Sequence, residues 1–329
     1  MARYLIKRTG VLVATLLGIT MLTFVCVRLL PGEVAAGDDR AADAAETRAA
    51  KRRLHALDRP LAVQYAQWLG RSVRLDFGHS WVTRRPVGET LREAAPRSLQ
   101  VMIPAMVLWY LLGIPLGVFL ALRHRTAAAR LATAGLFALY SVPGFVAGTL
   151  LIVWLANPDQ VAWFPASGLQ SDTLADTAGS GLRATWRFLL DRVWHLALPV
   201  ACMVYATTAY LAEQTRVSML DSLSAPWVRT ARSKGLSEFR VVTRHALRNA
   251  AIPLVTLAAL ALPAAFTGSV FIERIFSIQG IGWALVQAVE ERDHPVVMAI
   301  TTIAAGLTLL GILLSDLLYT AVDPRIELR

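Results

Sequence analysis

Few residues of this chain are arranged for covalent chemistry. Its three lysines, Lys7, Lys51 and Lys234, follow Ile6, Ala50 and Ser233. A phosphate-cradling loop of the form G-x-x-x-x-G-K-[ST] needs a lysine directly after glycine, so that the ammonium reaches the phosphates. None of the three is so placed, and ATP chemistry of that kind is excluded from this polypeptide. The six histidines (His55, His79, His124, His195, His245, His294) are scattered without metal-ligand spacing. No G-x-S-x-G elbow occurs, and Cys26 and Cys202 both lie inside apolar runs, which gives no disulfide framework. The expectation is a chain with no catalytic residue, no metal and no cofactor of its own.

What the residue types do offer is recognition, in the connection 213–251. Ser222-Leu223-Ser224-Ala225-Pro226 has helix-start chemistry, and Trp227–Lys234 is long enough for about two turns. Gly235 follows where a helix end favours a residue that tolerates positive φ. Ser237 offers a second N-cap, and Glu238–Asn249 forms another helical stretch before Ile252-Pro253. The pattern predicts helix, glycine elbow, helix. Trp227, Val228, Ala231, Phe239, Val242, Ala246 and Leu247 supply apolar contacts, with arginines as the rim. One reading is a helix pair lying on an anionic membrane surface, where each basic residue contributes about 1 kcal/mol. The other is a grip for a protein partner, since lipid-bound amphipathic helices usually lack a central glycine.

The elements that hold this connection are apolar. The 329 residues are 55% hydrophobic and 17% charged, with mean hydropathy +0.50. Soluble domains cover themselves with more polar surface than that. A helix needs about 20 mostly apolar residues to cross the hydrocarbon core. Thr9–Leu30, Leu99–Leu122, Leu131–Ala156, Val193–Ala212, Ile252–Phe271 and Val296–Ala321 qualify, predicting an all-α integral membrane protein with six spans. The first run is too long for a signal-peptide core and lacks a following A-x-A-like site, so it is expected to stay as an anchor.

The net charge of +10 is explained by placement. Arg3, Lys7 and Arg8 precede span one; Arg123, Arg125 and Arg130 sit between spans two and three. Arg216, Arg229, Arg232, Lys234, Arg240, Arg244 and Arg248 crowd the connection after span four. The connections after spans three and five mix acids with arginines. Lys/Arg bias of this kind puts both termini and the two basic connections in the cytoplasm. The charge therefore reports topology rather than a nucleic-acid surface.

Residues 31–97 form an extracytoplasmic insertion between spans one and two. It opens with an Ala/Asp/Arg-rich stretch that could form a solvated helix. Asp58-Arg59-Pro60 then reads as a helix start, and Leu61, Tyr65, Trp68 and Leu69 make one apolar face. A small helical cap and a docking surface for an extracytoplasmic partner are both compatible with it. Residues 157–192 combine Trp163-Phe164-Pro165, suited to a membrane interface, with a Gly/Ser/Asp-rich loop. The division is thus 1–30 (N-terminus and span one), 31–97 (insertion) and 98–329 (spans two to six with the 213–251 loop).

Charge inside the spans is sparse. Asp316 lies near the end of span six, where an acid is either functional or paired locally. Span five carries Pro253, Pro263, Thr267, Gly268, Ser269 and then Glu273. Small residues and prolines serve close helix packing. Alternatively, Thr267–Gly282, with Thr267, Ser269 and Glu273, forms the outer end of a translocation path or its gate.

The segment Trp227-Val228-Arg229-Thr230-Ala231-Arg232-Ser233-Lys234-Gly235-Leu236, with Arg244-His245-Ala246-Leu247-Arg248-Asn249-Ala250 and Ile252-Pro253, resembles the cytoplasmic loop of binding-protein-dependent ABC importer permeases. It is most similar to the first-permease type of the dipeptide/oligopeptide/nickel group. The general loop reads E-A-A, three residues, G, nine residues, I-x-L-P. Ala231, Gly235 and Leu247 match. Arg229 and Thr230 replace Glu-Ala, His245 replaces Ile and Arg248 replaces Pro, departures typical of the peptide group. The resemblance extends through Arg3–Arg8, Leu30-Pro31-Gly32, Pro60-Leu61, Gln64-Tyr65, Trp68-Leu69, Leu75–Gly78, Gly268–Glu273, Ile275-Phe276-Ser277, Gly280–Gly282, Arg292–Val296, Asp316–Tyr319 and Asp323-Pro324-Arg325.

That resemblance implies a type I ABC importer permease in a bacterial inner membrane. It implies as partners a second permease subunit, forming a heterodimer, two ATPase subunits that bind ATP and Mg, and an extracytoplasmic solute-binding protein. By carry-over, Trp227, Val228, Arg229, Thr230, Ala231, Arg232, Lys234, Gly235 and Leu236, with Arg244 and Leu247, form the ATPase-coupling element. Arg229, Arg232 and Arg244 are candidates for contacts to ATPase acids. Peptides are the implied cargo; nickel chelates, glutathione, peptide antibiotics or sugars are alternatives, because the binding protein largely selects the cargo. A secondary transporter or a membrane-embedded enzyme is disfavoured by the nearly charge-free spans and the missing catalytic clusters.

Overall fold

The computed structural model describes residues 2–29, 59–171 and 182–322. The Ala/Asp/Arg-rich stretch, the Gly/Ser/Asp-rich loop, Leu30-Pro31-Gly32 and Asp323-Pro324-Arg325 lie outside the described residues. Helices follow one another throughout: α1 (Ala2–Leu29), α2 (Leu61–Ser72), α3 (Val87–Leu122), α4 (Ala127–Tyr140), α5 (Gly144–Ala156) and α6 (Leu182–Ser224). Then come α7 (Pro226–Ser233), α8 (238–250), α9 (Ile252–Thr267), α10 (Val270–Ile275), α11 (Ile281–Glu290) and α12 (His294–Val322). Among the described residues five helical segments are long and apolar enough to cross a membrane, with α4 and α5 a sixth if the bent pair counts as one span. Hydrocarbon offers no partner for backbone N–H and C=O groups, so helices that satisfy their own ladders are the available solution.

The six apolar windows are borne out as elements, but the third is not straight. α4 and α5 are bent by 87°. Pro143 starts α5, and the residue before a proline is disfavoured in the helical region, which ends α4. The carbonyl of Val142 freed by the break accepts a hydrogen bond from the Tyr205 hydroxyl on α6. The fourth and second spans overrun their windows: α6 has 43 residues and α3 has 36.

α3 and α6 form the spine, with the largest helix–helix contact in the fold. Gly113 and Gly117, four apart on α3, permit it. A Cβ on Gly117 would sit 2.4 Å from the Ala212 carbonyl oxygen and 2.5 Å from Thr215 Cβ. Small residues at this spacing let helix backbones approach in an environment without a hydrophobic drive between helices. Trp109 on α3 packs into the main apolar core and donates from Nε1 to the Met203 carbonyl at 3.0 Å.

α1 leans on α12. At one end Arg8 pairs with Asp316 at 2.6 Å, so the acid of the last span is paired locally, the second of its two expected fates. This is the end that carries α7 and α8. At the opposite, distal end lie α2, the loop to α3, and α10–α11. There Tyr65, Trp68 and Leu69 of α2 cover Phe24 and Met298, while Leu61, the fourth residue expected on this face, is exposed.

Candidate functional site

The helix–elbow–helix forms as the residues dictate. Pro226 supplies the first helical position of α7, and Ser233 is its last. Gly235 takes φ +76°; its N–H donates to the Arg232 carbonyl at 2.9 Å, and the Leu236 N–H reaches back to the Ala231 carbonyl at 3.4 Å. These two bonds, with apolar Leu236 closing on the cluster that holds Ala231, make a Schellman end. Nothing lies within 4 Å of a Cβ placed on Gly235, so its backbone angle, not crowding, demands glycine. α8 begins at Glu238 after Ser237 and contains a π turn at Val241–Ala246 before a last α turn, Leu247–Ala250.

The inner face of the elbow is seated on the membrane bundle. Val228, Ala231, Val241, Val242, Ala246 and Ala250 pack against Ala121 of α3 and Met219 of α6. Val228, Val241 and Met219 are fully buried. Each such valine contributes about 1.5–3 kcal/mol relative to exposure. Across the elbow Arg232 and Glu238 form a two-pronged pair, Nη2–Oε1 at 2.6 Å and Nε–Oε2 at 3.1 Å. Both side chains are largely exposed, and such a pair contributes about 1 kcal/mol or less. Apolar seating therefore holds the elbow, and the pair trims it. The hydrogen bonds from Arg232 hold the Glu238 carboxyl below its ordinary pKa and raise that of the guanidinium. The pair's small contribution is present above the ordinary carboxylate range and is lost as pH falls through it.

The outer face is different. Trp227 and Phe239 are 53% and 77% exposed. Arg229, Thr230, Lys234 and Arg244 are exposed as well, and neither Arg229 nor Arg244 has an ion pair among the described residues. The apolar residues assigned to partner contact thus divide. Val228, Ala231, Val242 and Ala246 turn inward, and Leu247 is half-buried beside them; the two large aromatics remain outside. Arg232 is occupied by Glu238.

The elbow is jointed tightly to two spans. One residue, Ala225, separates α6 from α7, and one, Ala251, separates α8 from α9. α9 is 16 residues, about 24 Å at 1.5 Å per residue, and ends at Gly268 with φ +65°. The candidate path residues lie there. Thr267 Oγ1 donates to the Pro263 carbonyl at 3.1 Å, and Ser269 caps α10 by accepting from the Ile272 N–H at 3.4 Å.

Glu273 is 2% exposed and has its oxygens occupied. Oε1 accepts from Ser98 Oγ of α3 at 2.7 Å, and Oε2 accepts from the Trp283 N–H in the first turn of α11 at 2.9 Å. Ser98 Oγ in turn accepts from the Ile281 N–H at 2.8 Å. A carboxylate at the amino end of a helix satisfies orphan N–H groups and complements the helix dipole. Gly268 and Gly280 make room: a Cβ on either would meet the Glu273 carboxylate, at 1.9 Å and 2.6 Å. Glu273 is thus the clasp that ties α10, α11 and α3 together. Ser98 was not singled out in the sequence, where a lone serine in an apolar helix gives no signal.

Among the described residues no group of three or more His, Cys, Asp or Glu could hold a metal ion. Residues 113–328 match the family of binding-protein-dependent transport system inner membrane components. The chain is also 37% identical over 330 residues to the oligopeptide transport system permease protein AppB of Bacillus subtilis, covering 99% of this chain and all of that one. It is 35% identical over 335 residues to the dipeptide transport system permease protein DppB of the same organism, covering 100% of this chain and 99% of that one. Against DppB of Escherichia coli the identity is 33% over 341 residues, with 99% of each chain covered. The chain belongs to this permease family.

The permease assignment settles the class left open by the sequence. The chain is a membrane component of an ABC transport system, with the type I importer fold, rather than an enzyme or a secondary transporter. The elbow lies within the matched region, as do Thr267, Ser269 and Glu273.

If Glu273 is a clasp, Glu273→Ala leaves the Ser98 hydroxyl and the Trp283 N–H unsatisfied, at about 1–3 kcal/mol. A lowered thermal midpoint of the detergent-purified permease is the expected outcome, against little change for Glu290→Gln, which breaks an exposed pair with Arg274. Equal midpoints for both variants would remove the clasp.

Proposed function

We propose that this chain is one permease subunit of an ATP-driven importer that passes peptides delivered by a solute-binding protein. The family supports the transport role, and the relatives named as oligopeptide and dipeptide permeases support the cargo. The observation that carries the mechanism is the two-faced elbow. Its inner face is seated on α3 and α6, while Trp227, Phe239, Arg229, Lys234 and Arg244 are exposed.

In this reading α7 and the start of α8 seat in a partner ATPase, one of two that bind ATP and Mg. The aromatic side chains enter the groove and the free guanidiniums meet its acids. The basic loop and both termini face the cytoplasm of a bacterium, following the Lys/Arg bias. A second, non-identical permease subunit completes the pathway. Closure of the ATPases shifts the elbow as a unit, because its floor is apolar and its turn is fixed by Gly235. The one-residue joints at Ala225 and Ala251 pass that shift to α6 and α9. α9 carries it to the distal end, where Thr267 and Ser269 form the outer part of the pathway and the buried Glu273 clasp holds that segment in place. The extracytoplasmic insertion, including α2, offers the surface to which the binding protein comes.

Substitutions at Gly235 test the coupling. Proline fixes φ near −65° and removes the N–H that bonds to the Arg232 carbonyl. Asparagine visits the left-handed region readily. Gly235→Pro should abolish ATP-dependent peptide uptake in reconstituted vesicles while the permease remains inserted, and Gly235→Asn should keep most of it. Undiminished uptake by the proline variant would refute coupling through this elbow.

The pathway reading is tested separately by single cysteines at successive positions over 267–282, probed with a membrane-impermeant thiol reagent. Labelling at Thr267 and Ser269 should change between nucleotide-free and nucleotide-bound complexes. Labelling indifferent to nucleotide at every position would exclude a gate in this segment.

A further inference from the structure

At the distal end a cavity of about 650 Å³ opens between α1, α2, the loop before α3 and the start of α12. Its chemistry is not explained by the elbow or by the clasp. Four arginines line it, Arg28, Arg59, Arg71 and Arg84, together with His79 and His294. None of the four arginines forms an ion pair with a described residue. Two described carboxylates adjoin the cavity: Asp293 is buried and accepts hydrogen bonds from the Ser80 hydroxyl and from the Trp81 N–H, and Asp76 accepts from the Gly78 N–H at 2.9 Å. Among the described residues the wall therefore carries more positive than negative charge.

The inner part of the cavity is apolar, formed by Phe24, Val27, Trp68 and Met298. Arg28 is held at the boundary. Its guanidinium lies over the Phe24 ring at 5.1 Å and the Trp81 ring at 5.2 Å, and Nη1 is 3.4 Å from His294 Nδ1. Trp68 is buried, and its indole N–H has no hydrogen-bond partner among the described residues. α1 ends at Leu29 and α12 begins at His294, so the cavity sits level with the ends of two spans. That is the depth at which aromatic and basic side chains meet lipid headgroups. Among the described residues α1 touches the bundle mainly through α12, and its Met21, Leu22 and Leu29 are exposed.

We propose that this cavity binds the phosphate headgroup of an anionic phospholipid from the distal leaflet. Guanidiniums offer paired N–H donors that match phosphate oxygens. The apolar inner wall suits the upper acyl chain and the cationic rim suits the phosphate. A bound lipid would fasten α1 and α2 to α12, next to the surface assigned to the binding protein. The proposal rests on the membrane placement of the chain and not on its cargo or its coupling.

The test is native mass spectrometry of the full-length permease, purified in mild detergent with the subunits that accompany it, after delipidation. Phosphatidylglycerol, phosphatidylcholine and inorganic phosphate are titrated separately. One phosphatidylglycerol per permease should be retained in preference to phosphatidylcholine. The double variant Arg71→Gln/Arg84→Gln, which changes exposed side chains, should weaken that retention by about tenfold or more. Arg130→Gln, outside the cavity, should leave it unchanged. Equal retention by parent and double variant would overturn the proposal. So would indifference to headgroup charge, or displacement of the lipid by inorganic phosphate or by a peptide with a free carboxylate.

Discussion

Hydrocarbon cannot hydrogen-bond to a backbone, and the places where these helices break show how the chain answers that constraint. At the α4–α5 bend the freed Val142 carbonyl is met by Tyr205 of the neighbouring span. Around Gly268 and Gly280 the chain leaves the helix altogether, and there Ser98 and Glu273 replace the missing ladder. They supply an acceptor to the Ile281 N–H and another to the Trp283 N–H. A buried carboxylate would be costly without such donors, and with them it joins three elements. At the α4–α5 bend the tie comes from α6, and at Gly280 it comes from Ser98 of α3 together with Glu273 of α10.

Outside the hydrocarbon the controlling balance changes. The elbow has water for its orphan groups and needs something to hold it still. Fully buried Val228 and Val241, worth several kcal/mol together, outweigh the exposed Arg232–Glu238 pair. The same residues that fix the elbow are unavailable to a partner, so the surface proposed for recognition is Trp227, Phe239 and the arginines that have no ion pair among the described residues. A rigid element joined to α6 and α9 through single residues is suited to transmit force rather than to bind lipid. On this ground we propose a protein partner for the outer face rather than the leaflet.

Much of this was legible in the residues. The apolar blocks marked every span, Asp58-Arg59-Pro60 marked the start of α2, and Gly235 marked a left-handed turn that the structure shows at φ +76°. Local chemistry determines such features. The bend at Pro143 was hidden because an uninterrupted apolar run looks alike whether straight or broken. The division of the elbow's apolar residues into floor and face depended on where α3 and α6 pass, which periodicity within the loop does not encode. Glu273 was noticed as an acid among small residues, yet its partner Ser98 lies 175 positions away. The cationic cavity likewise assembles Arg28, Arg71, Arg84 and His294 from four separate segments.

The central claim is that the outer face of the elbow is where a partner ATPase engages this permease. Photo-crosslinking from single sites in the assembled transporter addresses it most directly. A photoreactive phenylalanine analogue placed at Trp227 or Phe239 should crosslink to the P-loop ATPase subunit. The same analogue at Phe137, which is exposed on α4, should not. Crosslinks from Trp227 and Phe239 to lipid alone, or equal ATPase crosslinking from all three positions, would contradict the account.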